Sequence, residues 1–167
     1  NEQGASLAAD AFYRVSEKIA AVIATSGPGI INTLQGMACS YYDSIPAIYI
    51  SGAPVTSVLK KNKNLRQLGF QEMEIMDVVK SMTKYVVRIT NKKNIRFELE
   101  KAIFYAQEGR PGPVLIDLPD DIQRQDIEEK KLRSFNPKMN LKKINKKIIN
   151  NFSLLLSKSK RPVVVVG

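Results

Sequence analysis

The chain has no histidine among its 167 residues and a single cysteine, Cys39. Without His there is no Ser-His-Asp triad, and most zinc sites are excluded as well. With one Cys no disulfide forms within the chain, which fits a reducing compartment and a cytoplasmic protein. Cys39 lies in an apolar, helix-like run and is expected to pack in the core, since a catalytic thiol wants a His partner. No apolar stretch reaches the about 20 residues that a membrane-spanning helix needs. Acid is missing from one end only. Residues 1–129 hold all sixteen Asp and Glu against fifteen Lys and Arg, whereas residues 130–167 hold eleven Lys and Arg and no acid. The net charge of +10 therefore belongs to the tail. No aromatic interleaving or nucleic-acid motif accompanies it, so it reads as a Lys-rich solvated linker and helix surface rather than a nucleic-acid or membrane patch.

The length suits one domain with a core, or one domain and part of another. The chain opens on Asn1 and closes on Pro162-Val163-Val164-Val165-Val166-Gly167, and is read as an internal fragment of a longer protein. Gly4 to Ile19 is expected to be a helix, with Ala5, Ala8, Phe12, Val15 and Ile19 on its inner face and Asp10, Arg14, Glu17 and Lys18 elsewhere. Ala20 to Thr25 suits a buried parallel strand. Ile30 to Tyr42 reads as a helix that Asp43-Ser44-Ile45-Pro46 ends, because Pro disfavours helix in the residue before it. Ala47 to Ser51 is the next strand. Gly52 to Gly69, with Lys60, Lys61, Lys63 and Arg66, shows no period and reads as a loop. Then come a short helix over Gln71 to Val79, a strand over Tyr85 to Ile89, a helix over Ile95 to Glu108 and a strand over Val114 to Leu118. Ile95, Leu99, Ala102, Ile103 and Ala106 are expected on the inner face of that helix. The alternation predicts an α/β fold with a mostly parallel sheet flanked by helices. Asp120 to Asn140 is polar and reads as a linker. A second unit follows, with a helix over Leu141 to Leu156 and a strand over Val163 to Val166. The boundaries expected are 1–122, 123–140 and 141–167.

The chemistry concentrates at Thr25-Ser26-Gly27-Pro28-Gly29-Ile30-Ile31-Asn32. An apolar strand here enters a Gly-rich turn that opens straight into a helix, whose first N–H groups attract polar or anionic ligand groups. Glu2 lies one helix and one strand upstream, able to return to the same sheet edge. Gly27 and Gly29 allow close backbone approach, Pro28 stiffens the turn and removes a donor, and Asn32 offers a side chain to fix the loop. A plain capping turn with Ser26 as cap is the alternative. A dinucleotide loop fits poorly, because Asn32 stands where the third Gly of G-x-G-x-x-G belongs and the next strand ends in Ser51, not an acid.

Read in order, Asn1-Glu2-Gln3-Gly4, Thr25-Ser26-Gly27-Pro28-Gly29 with Asn32, Asp43-Ser44-Ile45-Pro46, Ser51-Gly52, Gly69-Phe70-Gln71-Glu72, Thr83-Lys84 and Gly109-Arg110-Pro111-Gly112-Pro113-Val114-Leu115-Ile116-Asp117-Leu118-Pro119 resemble the thiamine-diphosphate enzymes of the acetolactate synthase type. The resemblance covers roughly residues 1–122 and is carried by the ordered set. It implies an incomplete pyrimidine-binding domain followed by the start of the family's central domain. It also implies a thiamine-diphosphate-dependent decarboxylation of a 2-oxo acid, pyruvate first, with transfer of the resulting carbanion. In the family the Glu of the opening motif bonds the cofactor's pyrimidine nitrogen and promotes loss of the thiazolium proton, and Glu2 matches it. This chemistry needs no His from the protein, since the cofactor supplies it. Glu2 is thus the candidate catalytic residue. Glu2, Ser26, Gly27, Pro28, Gly29 and Asn32 are candidates for cofactor binding, and Phe70 and Gln71 for the substrate side. Arg110 is expected to be structural, with an interface role as the alternative.

The resemblance further implies Mg²⁺ held by ligands outside this chain, so no metal ligand is assigned here. FAD is compatible with the family but unsupported by any residue. A homodimer or homotetramer sharing the cofactor site between subunits is implied, with a fragment that is inactive alone. The chain departs from the family at Asn1, where His is common, and at Asp120, where acetolactate synthases usually have Lys. The second departure leaves open a 2-oxo-acid decarboxylase or a sugar-modifying carboligase of a polysaccharide pathway. A non-catalytic binding homologue is the reading from another class.

Overall fold

A computed structural model describes residues 1–59, 64–137 and 145–165. The expectations for Lys60, Lys61, Lys63, residues 138–144 and Val166-Gly167 lie outside the described residues. Residues 1–137 form one compact unit and residues 138–167 a second.

In the first unit the order is α1 (Glu2–Ser16), β1 (Ala20–Ala24), α2 (Pro28–Ile31), α3 (Leu34–Tyr42), β2 (Ala47–Ala53), α4 (Thr56–Leu59), α5 (Ile75–Val79), β3 (Tyr85–Arg88), α6 (Ile95–Gln107), β4 (Val114–Pro119) and α7 (Asp120–Gln123). Among the described residues, four strands make one parallel sheet in the order β1-β2-β4-β3. Parallel strands bury both faces, and each face has its own core. Val22, Ala24, Tyr49 and Leu115 pack with Ala9 of α1, Met37 of α3 and Ile75 and Val79 of α5. Val114, Ile116 and Ile89 pack with Ala102 and Ala106 of α6 and Ile122 of α7. The α/β reading and its parallel sheet are as expected.

Several local expectations are corrected. α1 buries Ser6, Ala9 and Asp10, not the apolar stripe. Phe12 is 48% and Val15 88% exposed, and Ala5 and Ala8 are exposed beside them. The reason is close approach. A Cβ on Gly36 of α3 would lie 2.5 Å from Ser6 Cβ and 2.7 Å from its carbonyl carbon, so α1 turns its small side to α3. Ser40 Oγ donates to Asp10 Oδ2 at 2.8 Å, and Arg14 bridges Asp10 to Asp43. The helix expected over Ile30 to Tyr42 is two helices, broken at Asn32-Thr33, where buried Thr33 Oγ1 donates to the Ile30 carbonyl at 2.7 Å. Cys39 is exposed, not core. The helix expected from Gln71 begins only at Ile75, because Gln71 takes a left-handed φ of 52°. Ile103 is exposed on α6.

Asp120 to Pro137 folds onto the first unit rather than trailing from it. Asp120–Gln123 is helical, and the Phe135 ring meets those of Phe97 and Phe104 at 5.4 and 5.6 Å. The Phe135 N–H donates to Glu100 Oε2 at 2.6 Å. In the second unit α8 (Lys146–Lys158) is amphipathic, with Ile148, Phe152 and Leu155 along one side. Among the described residues Val163, Val164 and Val165 form no strand, since a strand exists only with a partner and none is described.

Candidate functional site

In an open parallel sheet, ligand sites gather beyond the carboxyl ends of the strands. α1 leads back along the sheet into β1, so its first turn lies at that edge, beside the turn that leaves β1. The Asn1 side chain caps α1 by accepting from Gly4 N at 2.9 Å. Glu2, on the inward side with Ser6 and Ala9, is half-buried and reaches across to the turn. Asn32 Nδ2 donates to Glu2 Oε2 at 3.3 Å. Hydrogen bonds from its own backbone N–H and from Asn32 hold the Glu2 carboxyl below its ordinary value of 4.5. The helix dipole acts in the same direction. Glu2 is therefore an ionised carboxylate at neutral pH.

The turn itself is built without side chains. Gly27 has φ +60° and caps α2, so Ser26 is not the cap. A Cβ on Gly27 would come within 2.5 Å of the Gln71 carbonyl oxygen, so only glycine allows the 69–74 segment to lie this close. A Cβ on Gly29 would fall 3.6 Å from Glu2 Oε1 and 2.6 Å from Thr25 Cγ2. The clash with Thr25 is what requires glycine here, and it leaves the turn backbone beside the Glu2 carboxylate bare. Pro28 is exposed at the first position of α2. On the far side, the position of a Cβ on Gly52 at the end of β2 is 3.5 Å from the Ser26 backbone nitrogen.

The structure thus brings Glu2, Gly27, Gly29, Asn32 and Gln71 together, with Ser26 and Pro28 in the same turn. Phe70, the residue before Gln71, is 86% exposed. Asn32 spends its side chain on Glu2 rather than on its own loop. Ser51, the residue that argued against a dinucleotide site, is buried and donates to Asp117 Oδ1 at 2.5 Å. At the end of β4, Asp121 accepts from Thr56 N at 2.9 Å and Thr56 Oγ1 at 2.6 Å, so it holds the start of α4. Asp120 pairs with Arg124 at 2.8 Å in its own turn. Arg110 donates to Ser44 Oγ at 2.6 Å and the Tyr42 carbonyl at 3.0 Å, a structural tie at the opposite end of the sheet.

Sequence reasoning missed a second group at the same edge. Arg88 on β3 reaches Asp117 with Nε, and Glu74 with its two terminal nitrogens at 3.0 and 3.1 Å. The only sequence signal was indirect: an Arg and an Asp near the ends of apolar strands, where burial demands a partner. Burial pushes the Asp117 carboxyl above its ordinary range, and Ser51 and Arg88 pull it back part of the way.

The donor set fits thiamine diphosphate on its pyrimidine side. A half-buried, ionised carboxylate sits beside a glycine turn whose backbone a flat ring can approach. Among the described residues no cluster of His, Cys, Asp or Glu is arranged to hold a metal ion.

Comparison with known proteins bears on this geometry. Residues 1–80 match the family described as thiamine pyrophosphate enzyme, N-terminal TPP binding domain. Along its whole length the chain is similar to the acetolactate synthase large subunit of Buchnera aphidicola subsp. Acyrthosiphon pisum, 33% identical over 176 residues and 29% of that relative. It is also similar to acetolactate synthase 2, chloroplastic, of Nicotiana tabacum, 34% identical over 171 residues, and to acetolactate synthase, chloroplastic, of Arabidopsis thaliana, 35% identical over 172; both matches cover 100% of this chain and 25% of the relative. The chain spans a quarter to three tenths of these relatives' lengths.

Proposed function

We infer, for a chain that belongs with the acetolactate synthase-like thiamine-diphosphate enzymes, that it supplies the pyrimidine side of the cofactor site in an enzyme that decarboxylates a 2-oxo acid and transfers the product carbanion. Pyruvate is the first candidate substrate. One observation carries the reading: the Glu2 carboxylate, oriented by Asn32, faces the Gly27–Gly29 turn at the end of β1. Bound there, thiamine diphosphate supplies the nucleophilic carbon. The chain's own work is to present the carboxylate to a ring N–H, keep the turn bare enough for a flat ring, and place the Gln71 segment over it. Mg²⁺ is held by ligands outside the chain.

The proposal includes a homodimer or homotetramer. α1, which carries Glu2, leaves Ala5, Ala8, Phe12 and Val15 as an apolar stripe for a second copy. No described helix is long and apolar enough to cross a membrane, and a cytoplasmic setting is proposed. The Asp120–Arg124 pair keeps a second product open, because the edge where acetolactate synthases usually carry Lys here presents an acid. A decarboxylase or a sugar-modifying carboligase fits that edge as well.

The test uses the full-length protein. Cofactor-dependent pyruvate consumption is followed with thiamine diphosphate and Mg²⁺ omitted in turn, and the product is identified by mass spectrometry. Acetolactate selects the synthase, and acetaldehyde the decarboxylase. Glu2→Gln should reduce turnover by about 10²–10⁴-fold with the fold intact. Near-normal turnover in Glu2→Gln would sink the assignment.

A further inference from the structure

Ser51, Asp117 and Arg88 are direct cross-strand neighbours on β2, β4 and β3. Residues in register share a face of the sheet, and this row closes the face that packs against α1, α3 and α5. Asp117 is 1% exposed and accepts from Ser51 Oγ and Arg88 Nε. That leaves the two terminal nitrogens of Arg88 aimed out of the sheet edge, where each meets one oxygen of Glu74 at 3.0 and 3.1 Å. Such a fork grips a carboxylate in one orientation, which a point-charge ammonium does not do.

Glu74 is the last residue before α5. Three residues upstream lies Gln71, with φ 52° and its carbonyl oxygen over Gly27. The segment between is not helical. Its other end is closed by Glu72 Oε2, which accepts from both Leu68 N and Gly69 N at 2.7 Å. The pose of the Gln71 carbonyl over the glycine turn thus depends on local closure by Glu72 and on the grip at Glu74. We propose that Arg88, oriented by Asp117, is a positioning residue for the cofactor pocket: it holds Glu74 and so fixes the 68–74 segment over Gly27. The proposal rests on the cofactor reading above.

The full-length protein tests it with two readouts, hydrogen exchange at the 68–71 amides without cofactor, and the apparent thiamine diphosphate dissociation constant. Arg88→Lys keeps a charge against Asp117 and loses the fork. Glu74→Ala leaves the buried pair untouched, so it keeps the experiment decisive if the Arg88 variant fails to fold. Each is expected to speed exchange at 68–71 and to weaken cofactor binding by about tenfold, with the double variant no worse than either single one. Unchanged exchange, additive losses, or faster exchange with unchanged affinity in a wild type that binds thiamine diphosphate would each overturn the positioning role and leave the assigned function standing. A wild type that binds no thiamine diphosphate removes the function itself.

Discussion

Gly36→Ala tests whether the spacing of α1 and α3 sets the site. A methyl carbon at position 36 would stand 2.3 Å from Ser6 Oγ, 2.5 Å from Ser6 Cβ and 2.7 Å from the Ser6 carbonyl carbon. Carbon atoms sit comfortably at about 3.5–4.0 Å, so the helices must part by about 1 Å. Turning the Ser6 side chain does not help, because the third clash is with backbone. Overpacking of this kind costs about 1–3 kcal/mol, and a backbone clash belongs at the upper end. Against that, replacing Gly by Ala inside a helix gains about 1 kcal/mol. The expected net loss is about 1–2 kcal/mol, visible as a lower apparent melting midpoint of the full-length protein. Function should suffer more than stability. Glu2 is one turn from Ser6, and its bond to Asn32 is already long at 3.3 Å. A shift of about 1 Å in a positioned group costs on the order of 10²-fold in rate. Ser6→Gly in the same chain removes two of the three clashes and should recover part of the turnover. If Gly36→Ala raises the midpoint and leaves turnover unchanged, α1 is not held by this contact and the account of Glu2 placement fails.

Asp117→Ala removes the buried partner of the half-buried Arg88 guanidinium, which keeps its bonds to Glu74, and should cost about 1–3 kcal/mol in urea denaturation of the full-length protein. Glu2 has a depressed folded-state pKa, so its stabilising and cofactor-directing charge is present above its ordinary value of 4.5 and is lost as pH falls through the lower folded value. The acid limb of thiamine diphosphate affinity should therefore lie below pH 4.5. A limb above that which Glu2→Gln abolishes would contradict the assigned ionisation. Phe12→Lys on the exposed stripe of α1 should shift the full-length protein toward smaller species in sedimentation, with the circular dichroism spectrum unchanged. An unaltered oligomer would place the subunit contact elsewhere.

The sheet was legible because short apolar runs rich in β-branched residues, such as Val114-Leu115-Ile116, have few alternatives once both faces are buried. The turn after β1 was legible because Gly27 and Gly29 announce a backbone approach that side chains forbid. The inner face of α1 was misread for a physical reason. Periodicity finds the apolar side of a helix, and the apolar side is buried only if the rest of the chain covers it. Here the close approach of Gly36 to Ser6 and the Asp10–Ser40 bond made the small, polar side the tighter fit. The break at Asn32-Thr33 was hidden for a local reason: both residues are tolerated in a helix, and here the Thr33 N–H and hydroxyl both turn back to the Ile30 carbonyl. The Arg88–Glu74 grip lay deepest, because nothing local relates a strand residue to an acid fourteen positions earlier. It exists because Asp117 must be paired where it is buried, and the cheapest cation is the one across the strand. The buried face of α1 and the Arg88–Glu74 grip therefore have a common origin: polar residues that satisfy one another across elements outweigh the hydrophobic pattern within an element. Those are the contacts that place Glu2 and Gln71 on either side of the glycine turn.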